Sequence, residues 1–174
     1  MGETNGEGSA PYGGPMNPTH ESPDNSPPRD DELEALARED VCYEIGMFLY
    51  TATRITQPVS DDDRNALRES MLVHARCLMD FLACDPRKDD LSADRYADWA
   101  PEIDGGVELA WLEENLGTMI DKRVAHLTAY RQRVPKDPTL FVQTIVRHMG
   151  ALIPRFLDKL HPDKVGWFAT VRQV

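Results

Sequence analysis

Apolar residues recur at steps of three and four along four stretches of this chain, and no alternation of β-branched residues signals a strand. Leu33, Leu36, Ala37, Val41, Ile45, Phe48 and Leu49 draw the first stripe, the pattern of a helix with one buried face. It predicts a helix from about Asp31 to Thr53, capped by Asp30 or Asp31 and weakened by threonines before Pro58. The second stripe is Leu67, Met71, His74, Leu78, Phe81 and Leu82. Ser60 with Asp63 three positions on is close to a capping box, and Asp85-Pro86 closes the helix because proline disfavours helix in the residue before it.

The third stripe, Leu109, Leu112, Leu116, Ile120, Val124 and Leu127, predicts a helix from about Val107 to Arg133. The fourth runs through Phe141, Ile145, Leu152, Phe156 and Leu160 behind Asp137-Pro138, an acidic cap with proline at the first helical position. Pro154 cannot donate to Gly150, so a bend is expected there. Residues 86–105 read as a long crossover. A connection of that length inside a compact domain is uncommon unless packed or functional, and Leu91, Tyr96 and Trp99 could dock it over the bundle. The fold class that follows is all-α: a four-helix bundle-like domain with a long crossover between helices two and three and a short C-terminal extension, Val165–Val174.

Composition adds a second region. Residues 1–31 are rich in Gly, Pro, Ser and Asn and carry no apolar face to offset the cost of ordering them. They are expected to be a disordered acidic tail ahead of a bundle domain at 32–174. No apolar run is long enough to span a bilayer, and no basic-then-apolar leader opens the chain, so the expected location is cytoplasmic, away from membranes. Cys42, Cys77 and Cys84 are an odd set within apolar stripes, which suits reduced core thiols. No paired-cysteine, glycine-loop or nucleophile-elbow motif implies a metal or cofactor, so none is expected.

The net charge of -11 is unevenly spread. Residues 32–114 hold twenty acids and eight bases, whereas 115–174 hold four acids and ten bases. The total opposes avid non-specific nucleic-acid binding. The split allows three outcomes: neutralisation inside the fold, attraction of a second copy, or a basic strip open to an anion.

Polar residues that intrude on apolar stripes are the informative ones, because burying them costs free energy unless they are paired. His74 and His148 interrupt the second and fourth stripes, and His126 lies beside Leu127 with Arg123 one turn away. Imidazole exchanges protons near neutral pH. Glu69, Arg76 and Asp80 share one side of the second helix. Arg76 and Asp80 can form an i,i+4 pair, or reach Arg123 or His126 across the bundle and build a charged ligand-binding cluster.

The runs Glu69-Ser70-Met71-Leu72-Val73-His74-Ala75-Arg76, Asp80-Phe81-Leu82 and Lys122-Arg123-Val124-Ala125-His126-Leu127-Thr128 resemble HEPN-like helical domains and related small bacterial helical proteins, over about residues 32–160. The resemblance implies a homodimer and, in ribonuclease members, an arginine followed four to six residues later by a histidine. Arg68 and His74 meet that spacing, with polar Glu69 after the arginine, although the motif usually lies in a later helix. Catalysis would rest on Arg68 and His74, with His126 as an alternative base, acting on RNA or a nucleotide without metal. The residues themselves support a more general expectation, a helical interaction or ligand-binding domain with no catalysis demonstrable. A homodimer through the fourth helix is expected on a further ground, since Leu140, Val142, Val146, Met149, Ile153 and Leu157 extend its apolar surface beyond one stripe.

Overall fold

The computed structural model describes residues 28–84, 91–120 and 139–172. Residues 1–27 of the expected 1–31 tail, the third helix beyond Ile120, Arg123 and His126 lie outside the described residues, whereas Asp30 and Asp31, expected in the tail, open the first helix. The described chain is all-α: α1 (Asp30–Leu36), α2 (Cys42–Arg54), α3 (Asp61–Ala83), α4 (Gly106–Ile120) and α5 (Thr139–Asp158). α2 packs chiefly on α3, α3 on α4, and α4 on α5. Among the described residues no helix is long and apolar enough to cross a membrane.

The first predicted helix exists, with an internal wide turn. Its buried positions Leu33, Ala37, Val41 and Ile45 step by four, more than the 3.6 residues of a helical turn, so in a regular helix they would drift around the axis. Between α1 and α2 a π-turn at Ala37–Val41 absorbs the drift, and the Cys42 amide bonds the carbonyl of Ala37 five residues back. The expected aspartate caps are instead first-turn residues. Glu32 reaches back to the amide of Arg29 at 2.9 Å. The second cap is where the sequence put it, with Ser60 Oγ accepting from the Asp63 amide at 3.1 Å. α3 ends on Cys84, which has the left-handed φ of 51°.

The crossover is packed. After a short 3-10 turn at Ala93–Arg95, Tyr96 is wholly buried and Trp99 nearly so. The Tyr96 hydroxyl donates to the Leu33 carbonyl at 3.3 Å, and the Trp99 indole N–H donates to the Leu82 carbonyl at 2.8 Å. The Tyr96 ring meets Phe81 and Phe168, and Phe156 stands edge-on to Phe81, Trp99 and Phe168 with ring centres 5.3–6.1 Å apart, the separation at which ring quadrupoles attract. An antiparallel bridge between Ala97 and Leu160 ties the crossover to the chain just past α5, through Asp98 N–H to the Lys159 carbonyl and His161 N–H to the Tyr96 carbonyl.

The C-terminal extension folds back, as a 3-10 turn at Val165–Phe168. Phe168 and Val171 are buried. Lys164 holds its base: Nζ donates to the Arg95 carbonyl at 2.7 Å and lies 5.3 Å from the Trp167 ring centre, a cation–π contact. The α5 residues Val142, Met149, Ile153 and Leu157 are buried within the single chain. The apolar surface beyond the first α5 stripe is therefore covered in large part by this chain's own residues.

A second fastening joins α4 to α5. Pro101–Gly105 forms a π-turn, and Gly106 opens α4 at φ 52°, a backbone state that only glycine adopts cheaply. Inside the turn the buried carboxylate of Asp104 accepts from the Ala100 amide at 2.8 Å and from Lys159 Nζ at 2.6 Å. Arg155 donates to the Asp104 carbonyl. The amide bond first, then Lys159, hold the Asp104 pKa below the ordinary aspartate value.

Two tests follow. Tyr96→Phe removes one hydrogen bond and is expected to cost about 1 kcal/mol in urea unfolding. Tyr96→Ala also removes the ring, at about 3–5 kcal/mol; equal losses would show the aromatic cluster to be incidental. For Asp104 the depressed folded pKa means its stabilisation is present in full above the ordinary carboxylate pKa and is lost as pH falls through the folded one. Asp104→Asn should cost about 1–2 kcal/mol at neutral pH and flatten part of the loss in wild-type stability as pH falls below the ordinary aspartate pKa of about 3.9. An unchanged acid slope would remove Asp104 from that account.

Candidate anion-binding groove

The residues proposed from sequence separate into three places. Arg68 and His74 are six positions apart on α3, an advance of about 600°, so they point roughly 120° apart and stand about 9 Å apart along the axis. His74 turns to α2. Its Nδ1 is 2.7 Å from Glu44 Oε2, its ring stands edge-on to Tyr43, and it is 8% exposed. Glu44 thereby supplies the partner that a buried imidazole needs. Arg76 and Asp80 form the i,i+4 pair at 2.8 Å. Glu69 is exposed. Arg123 and His126 are outside the described residues, so the cross-bundle cluster has no described geometry.

Near His74, Cys77 is exposed at a shallow cleft with Asp40, Glu44 and Asp80. Partial burial first, then the negative charge of Glu44 and Asp80, push its thiol pKa up. Such a thiol carries little thiolate and is a poor nucleophile. No group of three metal-ligating side chains is present among the described residues. His148 is buried against Trp111, with ring centres 5.0 Å apart. Desolvation first, then neighbouring Arg147, lower its pKa against the opposing pull of Glu108. It is a neutral packing residue at neutral pH.

Arg68 belongs to the third place. The C-terminal end of α2, the first half of α3 and the first half of α5 enclose a groove of roughly 510 Å³, within the range of small-molecule pockets. Ala52, Ile55, Val142 and Val146 make its apolar wall, and Thr56 and Gln143 supply hydrogen-bonding groups. Its charged residues are Arg64, Arg68 and Arg147, and no carboxylate is among its described lining residues. In a chain with net charge -11 this is a local inversion of sign.

The three guanidinium groups are not equivalent. Arg64 faces the carbonyls of Ile55 and Val59 at 3.5 and 3.4 Å, where the backbone leaving α2 needs donors. Arg68 Nε is buried and meets no acceptor among the described residues. A buried donor left so costs about 1–3 kcal/mol, and exceptions of this kind ask for a reason. Neither Arg68 nor Arg147 forms an ion pair among the described residues.

Sequence reasoning reached Arg68 for a different purpose and missed Arg64 and Arg147. The i,i+4 spacing of Arg64 and Arg68 was legible as a shared helical face. Arg147 comes from 79 positions away, and only the packing of α5 brings it there.

Because the stem of Arg68 packs while its Nε is unsatisfied, Arg68→Met is expected to stabilise the ligand-free protein by about 1 kcal/mol. A loss of stability by urea unfolding would mean that the guanidinium is satisfied within the chain. Comparison with protein-family models, with curated proteins and with solved structures returned no match.

Proposed function

We propose that this chain is a non-enzymatic helical ligand-binding or interaction domain, and that the groove formed by Arg64, Arg68 and Arg147 receives an anion. The observation that carries this reading is Arg68 Nε, a buried donor that meets no acceptor among the described residues, beside a groove with no carboxylate among its described lining residues. An incoming oxyanion would meet the planar guanidinium of Arg68, which favours carboxylate or phosphate in a two-point contact. Arg64 does not have to move to take part, since the carbonyls of Ile55 and Val59, just past α2, already orient it.

The ribonuclease alternative would gather Arg68 and His74 from two copies across a dimer. Arg68 opens on the groove and His74 on Glu44, so no described geometry favours it.

The test is thermal unfolding in sulfate or phosphate against chloride at matched ionic strength. The oxyanions are expected to raise the midpoint by about 2–4 °C, the equivalent of roughly 1 kcal/mol for a chain of this size. Arg68→Met should abolish that increment. An equal response from the variant and the wild type would place the anion effect elsewhere and end this reading.

A further inference from the structure

Charge, volume and lining of the groove narrow the ligand further. Of its three arginines, Arg64 is occupied by the carbonyls of Ile55 and Val59. Two guanidinium groups, Arg68 and Arg147, remain without ion pairs among the described residues. Arg64 keeps its charge, because carbonyls are neutral, so the groove presents three positive charges to whatever enters. A carboxylate brings one negative charge. A phosphate monoester brings about 1.5 to 2 at neutral pH, with three acceptor oxygens. The monoester can accept from Arg68 and Arg147 at once and offsets more of the groove's charge than a carboxylate does.

The volume argues against a free inorganic ion. A single phosphate would leave most of roughly 510 Å³ unfilled, next to a wall of Ala52, Ile55, Val142 and Val146 that gains only by excluding water. A ligand with an apolar or aromatic body fills that space while its charged end meets the arginines, the usual division of labour in a small-molecule pocket.

We propose that the groove binds a small organic phosphate monoester, with the phosphate between Arg68 and Arg147 and an apolar body against Val142, Val146 and Ile55. This rests on the reading of the groove as an anion site. The Arg68 guanidinium donates to the phosphate, and Thr56 and Gln143 remain for polar groups on the body.

The experiment titrates the full chain with phenyl phosphate, inorganic phosphate and benzoate, following arginine Nε–H signals by two-dimensional NMR. The Arg68 signal is identified by its loss in Arg68→Met. Phenyl phosphate is expected to shift it downfield saturably and to bind about tenfold more tightly than either other probe, the size of one charge-assisted hydrogen bond or a modest apolar contact. Arg68→Met and Arg147→Met should each weaken phenyl phosphate about tenfold or more. Arg38→Met, whose arginine pairs with Glu34 away from the groove, should leave binding unchanged. Backbone amide dispersion in the same spectra reports whether each variant is folded, and Arg68→Lys serves if the methionine variant is not.

Benzoate binding as tightly as phenyl phosphate would overturn the monoester assignment and leave the anion site standing. Inorganic phosphate binding as tightly as phenyl phosphate would overturn the organic body alone. Phenyl phosphate binding that ignores Arg68→Met, or an Arg68 signal that no probe moves, would overturn the proposal together with the groove reading beneath it.

Discussion

Tyr96 sits where the crossover, α1, α3 and the folded-back C-terminus converge, and its complete burial is the condition on which the rest of the arrangement depends. Its ring fills the space between Phe81 and Phe168, and its hydroxyl satisfies the carbonyl of Leu33 in α1. Burial pushes the phenol pKa up to about 12, so the group remains a donor throughout the ordinary pH range. A long connection loses much conformational freedom when it is pinned down. Aromatic burial, the Ala97–Leu160 bridge and the Lys164 contact with the Arg95 carbonyl together offset that cost.

That same convergence explains why α5 carries more apolar residues than one bundle face needs. α5 is covered on one side by α4, near its end by the aromatic side chains of the crossover, and beyond that by the Phe168 and Val171 return. The helix is a central element in a single chain, and its residue content follows from that position.

Buried polar groups in this protein divide sharply. Asp104 has Ala100 N–H and Lys159, His74 has Glu44, Lys164 has a carbonyl and two rings, and Thr51 bonds back to the Met47 and Phe48 carbonyls. Each is what a stable interior requires. Arg68 Nε departs from the rule. Among the described residues, a buried cationic donor left unpaired beside a groove carries a cost in stability, the pattern expected where a ligand completes the structure.

The local elements were legible in the sequence because they depend on neighbours within a few residues. The apolar stripes located α1 with α2, α3, the start of α4 and most of α5. Ser60 and Asp63 marked a helix start, and the i,i+4 spacing of Arg76 and Asp80 anticipated their ion pair. Even the drift of Leu33, Ala37, Val41 and Ile45 was present as four-residue steps, although recognising a π-turn in it required the hydrogen bond from Cys42 to Ala37. The site was not legible in this way. Arg68 and His74 look adjacent as a motif, yet the 3.6-residue period turns them to different neighbours, Glu44 for one and α5 for the other. Arg147 joins Arg64 and Arg68 only because α5 packs beside the end of α2, and Lys159 meets Asp104 only because the crossover is pinned to the end of α5. Spacing along a helix determines which side chains share a face. Which faces meet depends on contacts between residues tens of positions apart, and those exist only once the chain has folded.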